Sequence, residues 1–509
     1  MLKLNPKNGT VVNPIEVNDS SVVVADASPA LEAIAPAGND NTADAASAGV
    51  ALDEVEAIPG LVDTAPCGVD HIDPDEVSED AVADSFVTRN RDHIRYDHDR
   101  KSWFGWKKEG RWKEDKTGGV PDAVRRHARD RSKGNRAMSR HQAVRGVEMM
   151  ARNDQRIAVI SDIWDTNPML LGTPGGTIDL TTGEIIEANP EHYITKSTTV
   201  APAPKGTPCP IFDKYFDEVT EGDNGLQRVT QQYGGYCLTG ETIEQVVFFV
   251  HGPGGNGKSL LLTTIADIMG DYAQIAAREA FGSSQHQRHL TEIAMLEGAR
   301  LIGVTETKKG QPWNQERINQ FTGGDSVTAN RMRQDMRSFK PVGKLFFVGN
   351  HKPVLQSVNE AVKRRFLIVP FNFKPTMVDR HLHAKLKKEY PAILRWMIEG
   401  CLDWRENGLV LPDVVKKATA AYFDDEDVFG RWIEEKCQLG PALKAAATSL
   451  YGSWTEFAIA NGLKPGSSQS FSESLTQRDS IEKTKSSSVV YLGIALKPNS
   501  TMNFGVADM

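Results

Sequence analysis

Residues 252–259 read GPGGNGKS, the spacing G-x-x-x-x-G-K-[ST]. Glycines there let backbone N–H groups turn inward around phosphate oxygens. A helix starting at the lysine adds partial positive charge. Lys258 is placed to reach β- and γ-phosphates, and the Ser259 hydroxyl to bind Mg²⁺. Gly252, Pro253, Gly254, Gly255, Asn256, Gly257, Lys258, Ser259 and Leu260 are therefore the candidate nucleotide-binding residues, with ATP and Mg²⁺ the expected ligands. Hydrolysis also needs an acid at the end of a second buried strand. Glu306 closes the run ARLIGVTE at 299–306, where it would orient water and share Mg²⁺ with Ser259. Asn350 closes a third run, KLFFVGN at 344–350, and suits a group that senses the γ-phosphate or positions the water. Arg364 and Arg365 precede LIVPF; an arginine there is placed to reach a neighbouring subunit's nucleotide. Taken singly, each has a plainer reading: a ligand-free glycine turn, a surface glutamate, a pair of surface arginines. Their order along one α/β stretch favours catalysis.

The elements around them fit. VVFFV at 246–250 suits a strand buried on both faces of a parallel sheet. Residues 260–268 read as an apolar helix. Strand, loop, helix is the context that the phosphate loop requires.

The 509 residues are too many for one ordinary core. Net charge is -8, yet residues 1–85 hold 17 Asp/Glu against two lysines and carry -15, so the remainder carries +7. That mildly basic body permits nucleic-acid binding. Residues 1–85 contain no Phe, Trp or Tyr and read as a disordered acidic tail. IRYDHDRKSWFGWKKEGRWKED at 94–115 suggests a small β-meander, and the Arg-rich stretch 124–152 suggests helix, either a solvated face or a phosphate-contacting surface. Residues 168–196 read as short strands with glycine turns, and APAPKGTPCP at 201–210 as a linker. Helical patterns run from 378 to about 439. The order helix, helix, hairpin after 443 is that of a small winged-helix domain. Five scattered cysteines, without C-x-x-C, argue against a zinc site or a disulfide framework. No apolar run reaches membrane-spanning length and no signal peptide is read, so the expected location is cytoplasmic, without a membrane partner.

The phosphate loop, the acid, the Asn strand and the paired arginines follow one another closely between 252 and 365. That spacing resembles superfamily 3 helicases, the compact AAA+ type of phages, plasmids and DNA viruses. INQFTGGDSVTANRMRQDMRSFKP at 318–341 looks like the motif whose hairpin grips single-stranded DNA in that superfamily, which makes Arg331, Arg333, Arg337 and Lys340 candidate DNA contacts. From about 90 to 509 the chain resembles the phage/plasmid primase-helicase family, similar to the poxvirus primase-helicase. LLGTPGGTIDLTTGEI, HYITK, FDDEDVFGRWIEEKC and the terminal SFSESLTQR and VVYLGIAL carry this likeness.

The resemblance implies an α/β fold. It comprises a disordered tail (1–85), an N-terminal α+β helicase-associated domain (86–205), a helical collar or linker (206–242) and the ATPase core (243–375). A helical segment (376–440) and a winged-helix-like domain (441–509) follow. It implies a hexameric motor moving 3′ to 5′ on single-stranded and forked DNA in a bacterial host's cytoplasm, with a separate primase as a partner. Thr305 stands where many superfamily members carry a first acid, and no primase metal site is found. The rival readings are an ATP-switched initiator that does not unwind, a motor of another branch, and a fused primase-helicase.

Overall fold

The computed structural model describes residues 77–132, 136–282, 289–305, 313–330, 336–352, 355, 360–375, 379–476, 478, 481–485 and 489–498. Glu306, Arg331, Arg333 and nearly all of the acidic tail lie outside the described residues.

The VVFFV run becomes β1 (Val247–His251) and is covered on both faces. With β2 (Ala273–Ala276), β3 (Leu301–Thr305), β4 (Lys344–Gly349) and β5 (Phe366–Pro370) it forms one parallel sheet of order β5-β1-β4-β3-β2. Alternate side chains divide between two apolar clusters, as the pleat requires. Phe248, Val250, Phe346, Val348, Leu367 and Val369 face one way. Val247, Phe249, Leu345, Phe347 and Ile368 face the other.

Six helices matter to the site: α1 (Pro210–Val219), α2 (Asn224–Leu238), α3 (Lys258–Met269), α4 (Gln315–Gly323), α5 (Tyr390–Asn407) and α6 (Asp413–Glu426). The first cluster takes Phe212 and Phe216 of α1, Tyr233 of α2, Leu261 and Ile265 of α3, and Met397 and Ile398 of α5. The second takes Ile318 and Phe321 of α4 with Tyr422 and Phe423 of α6.

This corrects three expectations. Residues 206–242 are not a separate collar or linker, because α1 and α2 bury their apolar faces in the sheet's own core. The proline-rich stretch before them is pinned: Ala203 N donates to Pro391 O (2.8 Å), and Arg395 Nε donates to Ala203 O (2.9 Å). The folded N-terminal unit also starts earlier than 86. A helix spans Glu79–Asn90, capped by Ser78, whose hydroxyl accepts from Ala81 N at 3.1 Å. Its Val82, Ala83, Phe86 and Val87 recur at helical spacing and fill a core with the helices Gly119–Arg131 and His141–Arg152.

The expected meander is present. Strands Ile94–Asp97, Ser102–Trp106 and Trp112–Glu114 pair antiparallel, and Ala158–Val159 adds a parallel fourth. Leu170–Thr173, Gly176–Asp179 and Glu184–Ile186 form a second small antiparallel sheet.

The C-terminal unit begins before 441. Helix Val428–Lys436 places Trp432 and Ile433 in one cluster with Leu450, Trp454, Phe471 and Tyr491. Strand Cys437–Ala446 then replaces the helix expected up to Leu439, because Cys437–Leu439 pairs with residues of strand Val489–Leu496. Helices Ala447–Ala460 and Ser468–Thr476 and strand Glu482–Lys485 complete the unit. Among the described residues, no helix is long and apolar enough to cross a membrane.

Candidate functional site

The loop at 252–257 joins the C-terminal end of β1 to the first turn of α3, and the fold leaves little freedom at its two ends. A Cβ on Gly252 would run into the carbonyl oxygen of Phe371 and the side-chain amide of Asn256. Gly257 has φ +84°, and a Cβ there would come within 2.9 Å of the Tyr215 ring. Buried Asn256 donates its Nδ2 to Phe371 O, and its Oδ1 accepts from Lys258 Nζ at 3.0 Å. Lys258 Nζ also donates to Pro253 O at 2.8 Å. Burial lowers the pKa of this ammonium.

The rest of the loop faces outward. Pro253, Gly254, Gly255 and Ser259 are exposed, and Leu260 is half-buried. Among the described residues, none accepts a hydrogen bond from the amides of Gly254, Gly255 or Gly257. Free amides over a helix N-terminus, beside one ammonium, form a site for an anion.

Neighbouring strands supply further groups. Asn350 follows β4, is exposed, and holds its Nδ2 at 3.8 Å from the position a Cβ on Gly254 would take. His251, at the end of β1, has its pKa lowered, chiefly by burial and then by the charges of Lys352 and Lys258. Arg364 and Arg365 differ. Arg364 is exposed. Arg365 is 8% exposed and tied down, Nε donating to Thr322 Oγ1 (3.2 Å) and a terminal nitrogen to Ala361 O (2.7 Å). Its pKa is lowered, first by burial and then by Arg364.

β3 ends at Thr305, and Glu306, next in sequence, falls outside the described residues. Ser259 is thus the one candidate metal ligand described. No group of three or more His, Cys, Asp or Glu side chains that could hold a metal occurs among the described residues. A hydroxyl and a carboxylate are hard oxygen donors, the kind Mg²⁺ takes together with substrate phosphates.

The expected DNA hairpin has strands Val327–Asn330 and Met336–Phe339, and its tip, with Arg331 and Arg333, lies outside the described residues. Arg337 forms an ion pair with Glu297 at 2.5 Å, and Lys340 is exposed.

Sequence reasoning missed Tyr215. Its hydroxyl donates to Gly257 O at 2.8 Å, so α1 props the 252–257 loop from behind. The two residues lie far apart in sequence, and no spacing rule links them. His251 carried a weak signal in its position beside Gly252.

Residues 83–221 match the family described as "D5 N terminal like", and residues 250–365 match a "Family of unknown function (DUF5906)". A protein of Acanthamoeba polyphaga mimivirus named "Putative helicase L207/L206" is 27% identical over 301 residues, covering 53% of this chain and 30% of the relative. "Putative primase C962R" of African swine fever virus (isolate Warthog/Namibia/Wart80/1980) is 21% identical over 344 residues, covering 61% of this chain and 35% of the relative. The chain thus spans about a third of the length of the curated relatives it matches. Among solved structures, the apo NrS-1 C terminal region aligns with TM-score 0.46 at 11% identity, covering 81% of this chain and 99% of that one. Both matched segments, and viral relatives named as helicases and primases, make the chain similar to phage and viral primase-helicases.

Proposed function

We propose that this chain is an ATP-dependent DNA helicase of phage or plasmid replication, a superfamily 3 AAA+ motor. One observation carries the reading: the free amides of Gly254, Gly255 and Gly257 sit with Lys258 at the start of α3, at the C-terminal edge of a parallel sheet. Ligands bind at that edge in open α/β sheets.

The amides and Lys258 hold the ATP phosphates; to do so, the ammonium leaves Pro253 O and Asn256 Oδ1. Ser259 and Glu306 are the oxygen donors that would hold Mg²⁺, which neutralises charge developing on the phosphates. Asn350 positions the attacking water beside Gly254. Exposed Arg364, rather than the tethered Arg365, reaches the nucleotide of a neighbouring subunit in a hexameric ring. The hairpin around 331–340 follows one DNA strand by its phosphates, moving 3′ to 5′. The C-terminal unit acts as a winged-helix domain, supported by its order of helix, strand, two helices and two strands.

The test is ATP hydrolysis by purified protein with and without single-stranded DNA, alongside unwinding of a forked duplex. Stimulated hydrolysis with strand separation is expected, and Lys258→Ala should abolish both while the chain stays folded. Normal hydrolysis by Lys258→Ala would sink the site. Hydrolysis without separation would favour an ATP-switched initiator. The relative named as a primase favours a second reading, in which the chain contributes to a primase-helicase; primer synthesis from ribonucleotides tests it.

A further inference from the structure

We propose that the cleft between the N-terminal unit and the edge of the central sheet binds the phosphate backbone of single-stranded DNA. The cleft encloses about 610 Å³. Arg100, Lys107, Arg111, Lys113, Lys116 and Lys196 line it, with Asp271 and Gln274 beside the edge strand β2 as the far wall. The cations come from separate parts of the chain: the turn after strand Ile94–Asp97, the two strands after it, and the segment beyond Tyr193. Arg111 and Lys113 flank Trp112, whose ring is fully buried. The pleat turns the two cations the other way.

Three carboxylates also line the cleft, and each is engaged. Asp115 accepts from the amides of Gly119 (3.0 Å) and Val120 (2.7 Å) and so caps the helix Gly119–Arg131. Glu114 Oε1 accepts from Ser102 Oγ at 2.8 Å. Asp271 pairs with Arg111 and accepts from Ser197 N at 3.1 Å. Six cations thus line the cleft against three acids, an excess of positive charge that remains although Arg100 also pairs with Asp97 and Arg111 with Asp271.

The choice of ligand follows from what lines the cleft. A compact nucleoside phosphate is held by a glycine-rich nest of amides, as at 252–259. Here the donors are long cationic side chains from several segments. That arrangement suits an extended polyanion read by its charge and not by its bases. The inference rests on the reading of the chain as a DNA motor and adds a second contact, independent of nucleotide and remote in sequence from the hairpin.

The test uses the full chain without nucleotide and a long oligothymidylate. Lys113→Ala with Lys116→Ala should weaken binding several-fold. It should also flatten the slope of log K against log salt by about 1.4, two contacts at about 0.7 each for single strands. DNA-free ATP hydrolysis should be unchanged, and the Lys113→Arg, Lys116→Arg pair should bind as the parent does. Photocrosslinking with thiothymidine should label residues 100–117 in the parent and lose that label in the alanine pair. An unchanged slope, or crosslinks confined to 327–340, overturns the inference and leaves the motor standing. Displacement of the oligomer from the Lys258→Ala chain by free ATP would make the cleft a nucleotide site and overturns it too. A parent chain that binds no DNA removes both this site and the motor. Binding without any hydrolysis removes only the ATPase.

Discussion

Arg364 and Arg365 adjoin in sequence and part company in space. Arg365 is buried, bonded to Thr322 and Ala361, and so helps fasten β5 to α4. Among the described residues Arg364 makes no such contact, and it is exposed. Arg365→Ala should therefore cost about 1.5–3 kcal/mol of stability, the range for a hydrogen-bonded charged group, seen as a lower urea midpoint. Arg364→Ala should leave the midpoint within about 0.5 kcal/mol, as for an ordinary surface change. It should nevertheless lower DNA-stimulated hydrolysis at least tenfold. Equal midpoints for the two variants would show that the buried contacts carry no weight. The pair was legible in the sequence; which of the two is buried was not, because it depends on which guanidinium meets Thr322. Lys258, Ser259 and Asn350 differ in that the roles proposed for them rest on local spacing next to a strand end, and spacing is what a sequence displays. Tyr215 acts on the same loop from another helix, and only the packing of α1 reveals it.

At the scale of elements, the apolar runs gave away β1, β3, β4 and β5, since strands buried on both faces are continuous in sequence. Helix α2 was harder to place, because its partners come from distant segments. Its C-terminal carbonyls are buried and capped by two cations. Arg300 donates to Leu238 O (2.6 Å) and to Leu170 O (2.9 Å). Lys344 Nζ donates to Thr239 O and to Val342 O (3.0 Å), above the Tyr236 ring. Burial pushes the Lys344 pKa down from 10.5 to about 7. A neutral amine keeps two N–H donors, enough for its two carbonyls. Between about pH 7 and 10.5 the unfolded chain thus holds a proton on Lys344 that the folded chain lacks. Stability from this group must rise with pH across that window and stay flat below it. Urea midpoints of the parent and Lys344→Met, compared at about pH 7 and about pH 10, should show the parent gaining on the variant as pH rises. A constant difference between the two would mean that the lysine titrates alike in both states.

For the molecule as a whole, composition was a poor guide to the joints. The proline-rich stretch at 201–210 looks like a free linker and is docked on α5, where Arg395 donates to Ala203 O and Ala203 N donates to Pro391 O. The boundary placed at 441 falls inside a strand, because the apolar residues of 428–436 serve the C-terminal core and not the central one. The joint is better placed at Asp427. Its carboxylate accepts from Gly430 N (2.8 Å), starting the helix Val428–Lys436, and receives Arg478 on both oxygens (3.0 and 2.9 Å). One residue earlier, Glu426 accepts from Leu355 N at 2.9 Å, which ties α6 to the chain just beyond Asn350. Asp427→Ala removes a helix cap and a partly exposed ion pair, together about 1–2 kcal/mol. If 428–496 is a unit with its own core, that loss stays local: amide exchange should quicken in 428–436 and 468–476, while β1 and β4 keep the parent's protection. Exchange rising equally in the central strands would mean that the two cores unfold together, and Asp427 would then be an interior tie and not a joint.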